Sequence, residues 1–343
     1  MEQKTVPLLC EYLDDLVAEL QRLVPLALRD WEEDAIHHSR VATRRLKAGI
    51  DLFRPVLSDD ARKAFAKVTR RLRRRLGPLR DLDVMLKHLE KLAKPAGRGG
   101  ARHGVAVGWL SDQLRGQREK AREDSLEDAP PAKVLGKLAT TWADVRAEVL
   151  EGTEAVDSLL TSSIHLQLDA FAEQADRLVG ASSAEQSESN GPPQDVHQLR
   201  IAGKALRYTL EMAREHGRPL ETGVMRTFKR MQDALGLWHD FVVITEWSMR
   251  ASIEGLLAHH DTKLQADVLA LARLTLSRAE QRLKRFGELW KTEGPELTTT
   301  IRASFPITQP AAPASETGTG PGPRATSETS AQATPPTDAA PAA

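Results

Sequence analysis

The stretch IHHSRVATRRLK, at residues 36–47, returns in the second half of the chain as VHQLRIAGKALRY, at residues 196–208. Each copy has a histidine followed by basic residues at the third, seventh and tenth positions after it. The matching residues are His37, Arg40, Arg44 and Lys47 in the first copy and His197, Arg200, Lys204 and Arg207 in the second. This spacing favours an α-helix, because positions three, seven and ten residues apart return to one helical face.

A second motif follows each copy of the first. The segment RLRRRLGPLRD, at residues 71–81, corresponds to RMQDALGLWHD, at residues 230–240. The alignment superimposes Leu76, Gly77 and Asp81 on Leu235, Gly236 and Asp240. Two motifs repeated in the same order indicate an internal duplication.

The repeated helix is predicted to be basic on one side and apolar on the other. At about 100° per residue, the basic residues of the first copy fall within a sector of roughly 80°. The opposite side carries Ala42, Leu46, Gly49, Ile50 and Phe53, and the second copy has Ala202, Leu206 and Leu210 there. Each copy is therefore expected to pack through one face and to present a basic ridge on the other.

A third basic ridge is predicted in the first half, and its counterpart in the second half is weaker. Its cations are Lys67, Arg70, Arg73 and Arg74. The counterpart keeps Arg226, Lys229 and Arg230, but Gln232 and Asp233 replace two of the arginines. The run RRLRRR at residues 70–75 is interpreted in two ways, as ligand contacts or as partners of acidic residues on neighbouring helices.

The hydrophobic periodicity predicts an all-α protein, since alternation of the strand type is missing. Pro55, Gly77-Pro78 and Pro95 are interpreted as helix stops, because proline lacks the donor that continues a helix. Helices are expected near 7–29, 33–54, 59–76, 81–94, 103–124, 132–150, 155–180, 193–215, 220–235, 240–257 and 261–290.

The duplication and the composition together predict the domain organisation. Residues 1–305 are expected to form one folded region, with repeat halves at about 1–152 and 153–305. The segment ASSAEQSESNGPP, at residues 181–193, is interpreted as a linker or flexible loop before the second copy. Residues 306–343 are rich in Pro, Ala, Thr and Ser with almost no large apolar residues, which predicts a disordered tail.

With its two motifs, H-x-x-R-[VI]-A-x-[RK]-x-L-[RK] and L-G-x-x-x-D, the chain resembles the CHAD domain, the conserved histidine α-helical domain, over roughly residues 1–303. The resemblance implies two similar helical bundles, related by a pseudo-twofold axis, around a basic central cavity or pore. It also implies binding of inorganic polyphosphate and an association with polyphosphate granules. The neutral and acidic positions Gln232 and Asp233, together with His239, depart from an evenly charged site.

Clustered arginine and lysine side chains suit a densely charged phosphate polymer, because guanidinium groups match phosphate oxygens and lysines add charge. Nucleic acid, either RNA or DNA, is the alternative partner. Single-strand binders generally stack bases on aromatic side chains, but only 4% of this chain is aromatic. The predicted polyphosphate-binding residues are His37, Arg40, Arg44, Lys47, Arg70, Arg73, Arg74, His197, Arg200, Lys204, Arg207, Tyr208, Arg226 and Lys229.

The bulk composition limits the classes of protein. The chain has 343 residues and a formal net charge of zero, so its positive charge acts through placement and not through excess. Its single cysteine, Cys10, excludes an internal disulfide framework. Neither a signal peptide nor a membrane-spanning run is recognised, and a cytoplasmic protein is expected.

Catalysis is not expected, nor is a cofactor. The adjacent histidines His37 and His38 diverge by about 100° on a helix and lack the spacing of metal ligands.

A third hypothesis is a metal-dependent phosphohydrolase that uses His239 and Asp240. The aspartate, however, is the residue that recurs in the repeat, at Asp81. Both aspartates are interpreted as helix caps or as residues that hold arginines in position.

Overall fold

Apolar residues three and four positions apart fold the chain into α-helices, which confirms the all-α prediction. The computed structural model describes residues 8–94, 103–126, 129–152, 155–181, 192–259 and 261–307, and these ranges contain no strand. The helices are α1 (Leu8–Pro25), α2 (Glu33–Leu52), α3 (Asp59–Ala93), α4 (Gly104–Leu126), α5 (Pro131–Glu151), α6 (Val156–Ala181), α7 (Pro192–Glu215), α8 (Thr222–His259) and α9 (Thr262–Ser304).

Two predicted helix breaks are wrong. The helices expected at 59–76 and 81–94 are one helix, α3, and those expected at 220–235 and 240–257 are one helix, α8. Pro78 lies inside α3 and is exposed, whereas Leu76 and Leu79 beside it are fully buried. Packing of these leucines therefore outweighs the one backbone hydrogen bond that proline removes. The helix expected at 261–290 likewise continues to Ser304 through Pro295.

The start of α2, which carries the first motif, is fixed by an irregular connection. A short π-helical turn, Leu26–Asp30, follows α1 and ends at Trp31. Trp31 is buried and adopts the left-handed conformation with φ 59°, which is uncommon for a residue other than glycine. Its carbonyl accepts a hydrogen bond of 3.2 Å from Nη2 of Arg118 on α4. This contact holds the chain where α2 begins.

The helices of the two halves pack in a similar order. In the first half, α1 contacts α2 and α5, and α3 contacts α2, α4 and α5. In the second half, α6 and α8 each contact both α7 and α9. An ion pair links the outer helices in each half. Asp14 on α1 accepts from Arg146 on α5 at 2.9 Å, and Asp169 on α6 accepts from Arg302 on α9.

The halves are joined by contacts of α2 with α7, of α3 with α8 and of α4 with α9. One apolar core runs through helices of both halves, and a second joins α3 and α4 to α8 and α9. The described residues from Leu8 to Ile307 belong to one compact unit. Most of the predicted linker at 181–193 and the predicted tail, except its first two residues, lie outside the described residues. None of the described helices is long and apolar enough to cross a membrane.

Candidate polyanion-binding site

The basic ridge of α2 faces a cavity that the second half of the chain also lines. This cavity, of about 280 Å³, lies where α2 and α3 meet α7 and α8. Its walls therefore contain residues of both copies of the motif. The ionisable residues that line it are His37, Arg40, Arg44, Arg80, Asp81, Arg200, His239 and Asp240.

Two further cavities continue the first along α7 and α8. The second, of about 450 Å³, shares Arg200 and Asp240 with the first and adds Lys204. The third, of about 470 Å³, shares Arg207 and Gln232 with the second and adds Arg226, Lys229 and Glu211. Neighbouring cavities share walls, and we call the three together the basic groove.

The positive charges in the groove lie close enough to repel one another. Burial and the charges of Arg200 and Arg44 lower the pKa of Lys204 from 10.5 to about 7. Burial also lowers the pKa of Arg200, and the charge of Arg44 adds to this effect although Asp240 opposes it. Arg44 on α2 is thus electrically coupled to two cations on α7. Such a site favours an anionic ligand, which would remove the repulsion.

The equivalent arginines Arg40 and Arg200 are held differently. Nη1 of Arg40 donates to the carbonyl of Arg73 at 3.1 Å, and Nη2 lies 3.6 Å from Asp81. A methyl group on Gly77 would lie 3.0 Å from Nη1, so this glycine makes room for the guanidinium against α3. Arg200 has no such arrangement. Its Nε is buried and has no hydrogen-bond partner in the described part of the chain.

Two histidines, His37 and His239, line the groove. Burial and the charge of Arg80 lower the pKa of His37 to about 4. Burial and the charge of Arg200 lower the pKa of His239 to about 4 as well. Both are therefore neutral at pH 7. His197 is exposed, and its ring centre lies 5.9 Å from that of His239.

Five further predicted site residues line none of the three cavities. Arg73 is half-buried, and burial together with the charge of Arg44 lowers its pKa. Tyr208 is only 8% exposed and lies beneath Arg207, with 5.7 Å from the guanidinium carbon to the ring centre. Lys47, Arg70 and Arg74 are exposed and line none of the three cavities. Lys47 pairs with Asp51.

Arg75 resolves part of the ambiguity in the RRLRRR run. Its Nε donates to Oγ of Ser125 at 2.8 Å, and its Nη1 donates to the carbonyl of Ala129 at 2.6 Å. It is a structural residue that ties the connection between α4 and α5 to α3. Within the same run, the charge of Arg44 helps to lower the pKa of Arg73.

Sequence reasoning missed several residues of the groove. Arg80 was not selected, although it lines the first cavity. The interpretation of Asp81 and Asp240 as helix caps is wrong, because both lie inside continuous helices. Asp81 does pair with an arginine, Arg40, as the other interpretation expected. Oδ2 of Asp240 lies 3.2 Å from Nε2 of His88 on α3, a contact between the two halves.

The described residues contain no group of three or more His, Cys, Asp or Glu side chains placed to hold a metal ion. Within this part of the chain the groove carries four carboxylates: Asp81 and Asp240, whose charges raise the pKa of Arg200, together with Asp233 and Glu211. The structure thus presents a mainly cationic groove with a few acidic positions along its wall.

The fold and the groove define an all-α protein with a repeated basic helix motif. The chain belongs to the CHAD domain family, whose pattern matches residues 11–248, more than half of the chain. PptA from Streptomyces chartreusis has a similar fold, with a TM-score of 0.51 and 20% identity over 84% of this chain and 100% of that chain. The CHAD domain of the plant Ricinus communis gives a TM-score of 0.48 and 19% identity over 87% of this chain and 90% of that chain. The chain has no match among curated protein sequences.

Proposed function

We propose that the protein binds inorganic polyphosphate in the basic groove and does so without catalysis. The observation that carries this proposal is the convergence of cations from α2 and α7. Arg44 contributes to the lowered pKa values of Lys204 and Arg200, so unliganded charges from the two motif copies repel one another. An anion that spans the groove would offset this repulsion.

The shape of the groove favours a chain over a compact anion. Its three cavities share walls, and basic residues recur along them from Arg44 to Lys229. A linear phosphate polymer places a negative charge opposite each of these positions. Nucleic acid would also supply phosphates, but proteins that bind single strands generally stack the bases on exposed aromatic side chains. Tyr208, beside the ridge of α7, is buried and offers no such surface.

On this proposal the two repeat halves, residues 1–152 and 153–305, supply one shared site. Arg200 is its main ligand contact in the second half, because it lines two of the three cavities, whereas Arg40 is held against α3. The affinity for polyphosphate would also direct the protein to polyphosphate granules.

Binding is tested with polyphosphate and tRNA at equal phosphate concentration. The double variant Arg44→Glu/Lys204→Glu should lose about 100-fold in polyphosphate affinity, since two attractive charges become repulsive. The matched variant Arg282→Glu/Lys291→Glu changes the net charge by the same amount, at exposed positions of α9, and should bind polyphosphate normally. Equal losses in both variants, or tighter binding of tRNA than of polyphosphate, would contradict the proposal.

Release of phosphate from polyphosphate with Mg²⁺ or Mn²⁺ tests the non-enzymatic part. Metal-dependent release that disappears in His239→Gln would contradict it and would favour the phosphohydrolase hypothesis.

A further inference from the structure

A second cleft lies between α3 and α5, apart from the basic groove. Its volume is about 280 Å³. Small apolar side chains form its floor, among them Val68 and Val134, which pack against the main core. Ala129 also lines the cleft, and the bond from Arg75 to its carbonyl ties the chain before α5 to α3. The cleft therefore has a rigid apolar floor between two packed helices.

The rim of this cleft is basic on both sides. Lys67 and Arg71 stand one turn apart on α3, and Lys133 and Lys137 stand one turn apart on α5. As far as the structure describes the chain, the lining contains no carboxylate. In the described part of the chain these cations form no ion pair, unlike many exposed cations elsewhere, such as Lys63 with Asp59. Four unpaired cations around an apolar floor are complementary to an anion that has an apolar part.

The cleft and the basic groove lie on different sides of α3. Arg71 points about 180° away from Arg80, which lines the groove, given about 100° per residue around the helix axis. No residue of the cleft lines any of the cavities of the groove. The sequence grouped Lys67 with the ridge of Arg73, but the structure places Lys67 at this separate cleft.

We propose that the cleft binds a small amphiphilic anion, in which one carboxylate, sulfonate or phosphate group is attached to a short alkyl or aryl body. The anionic group lies between the two basic rims, and the apolar body covers the valine floor. The volume is at the lower limit of small-molecule pockets and is too small for a helix of a partner protein. A bare polyphosphate would gain nothing from the apolar floor.

The probe for this site is 1-anilinonaphthalene-8-sulfonate, whose fluorescence rises in an apolar environment. The full chain should bind one dye molecule, and sodium decanoate should displace it. N-phenyl-1-naphthylamine, which lacks the sulfonate, should bind at least about tenfold more weakly if the basic rims contribute. Inorganic polyphosphate at a concentration that saturates the groove should not displace the dye.

Variants separate this site from other basic surfaces. Arg71→Glu/Lys137→Glu should weaken dye binding about tenfold or more, because attraction becomes repulsion at two positions. Val68→Thr, which keeps the shape of the floor but makes it polar, should also weaken it. The matched variant Lys284→Glu/Lys291→Glu, exposed on α9, should bind the dye normally. Circular dichroism and melting curves establish that each variant is folded.

Unchanged dye binding in folded Arg71→Glu/Lys137→Glu would overturn the proposal. So would loss of dye binding in Arg44→Glu/Lys204→Glu, which would place the dye in the basic groove. If polyphosphate fails to bind anywhere while the dye result holds, the groove proposal fails and the cleft proposal stands.

Discussion

Polyphosphate affinity should fall steeply above pH 7, because Lys204 has to gain a proton when the ligand binds. Burial and the charges of Arg200 and Arg44 lower its pKa to about 7 in the unliganded protein. A bound polyanion favours the charged form and returns the pKa toward the usual value of about 10.4. At any pH between these two pKa values, binding of polyphosphate is coupled to uptake of a proton by Lys204.

The magnitude follows from this difference in pKa. For each pH unit above 7, the protonated fraction of unliganded Lys204 drops about tenfold, and affinity drops with it. From pH 7.5 to 9.5 the expected loss is about 100-fold, or roughly 2.7 kcal/mol. The unfolded chain also binds more protons than the native one in this range. The unliganded protein should therefore become more stable as the pH rises through it.

Isothermal titration calorimetry measures both the affinity for polyphosphate and the number of protons taken up on binding. Long polyphosphate at constant ionic strength is titrated across this pH range in buffers of different ionisation enthalpy. Near pH 8 the wild-type protein should take up close to one proton per site. Lys204→Arg keeps its charge throughout the range, so its affinity should be almost independent of pH. Lys229→Arg, an exposed position of the same groove, should behave like the wild type. A steep pH dependence that persists in Lys204→Arg would refute the assignment to this lysine.

Two pairs of substitutions test the packing around the groove by urea unfolding. Gly236→Ala, whose methyl meets no atom within 4 Å, should stabilise α8 by about 0.5–1 kcal/mol. Gly77→Ala should not stabilise α3 in the same way, because its methyl would lie 3.0 Å from a guanidinium nitrogen of Arg40. Equal stabilisation by both would show that the glycine in α3 is not needed for close approach. Arg118→Met leaves Asp83, which is 5% exposed, without its 2.7 Å ion pair and also removes the donor to the Trp31 carbonyl; together these losses should cost about 3 kcal/mol. Arg115→Met removes an exposed pair on the same helix and should cost less than about 0.5 kcal/mol; similar costs for both would contradict the buried-charge argument.

The sequence by itself determined the helical class and the faces of the motif helices. Ala42 and Leu46 are buried in the core, as their spacing predicted, and Arg44 lies on the opposite face. These features depend on periodicity within a few turns, which is a local property of the chain. The breaks expected near Pro78 failed for a non-local reason, because buried leucines on both sides keep α3 continuous.

Tertiary structure alone decided which of the basic residues act together. Nothing in the spacing distinguishes Arg40 from Arg200, but packing against Gly77 holds the first, and the second faces two cavities. The lowered pKa of Lys204 likewise arises partly from Arg44, which belongs to the other copy of the motif. Periodicity fixes the direction of a side chain around its own helix. The distance between charges on different helices depends on how the helices pack, and only the folded chain sets it.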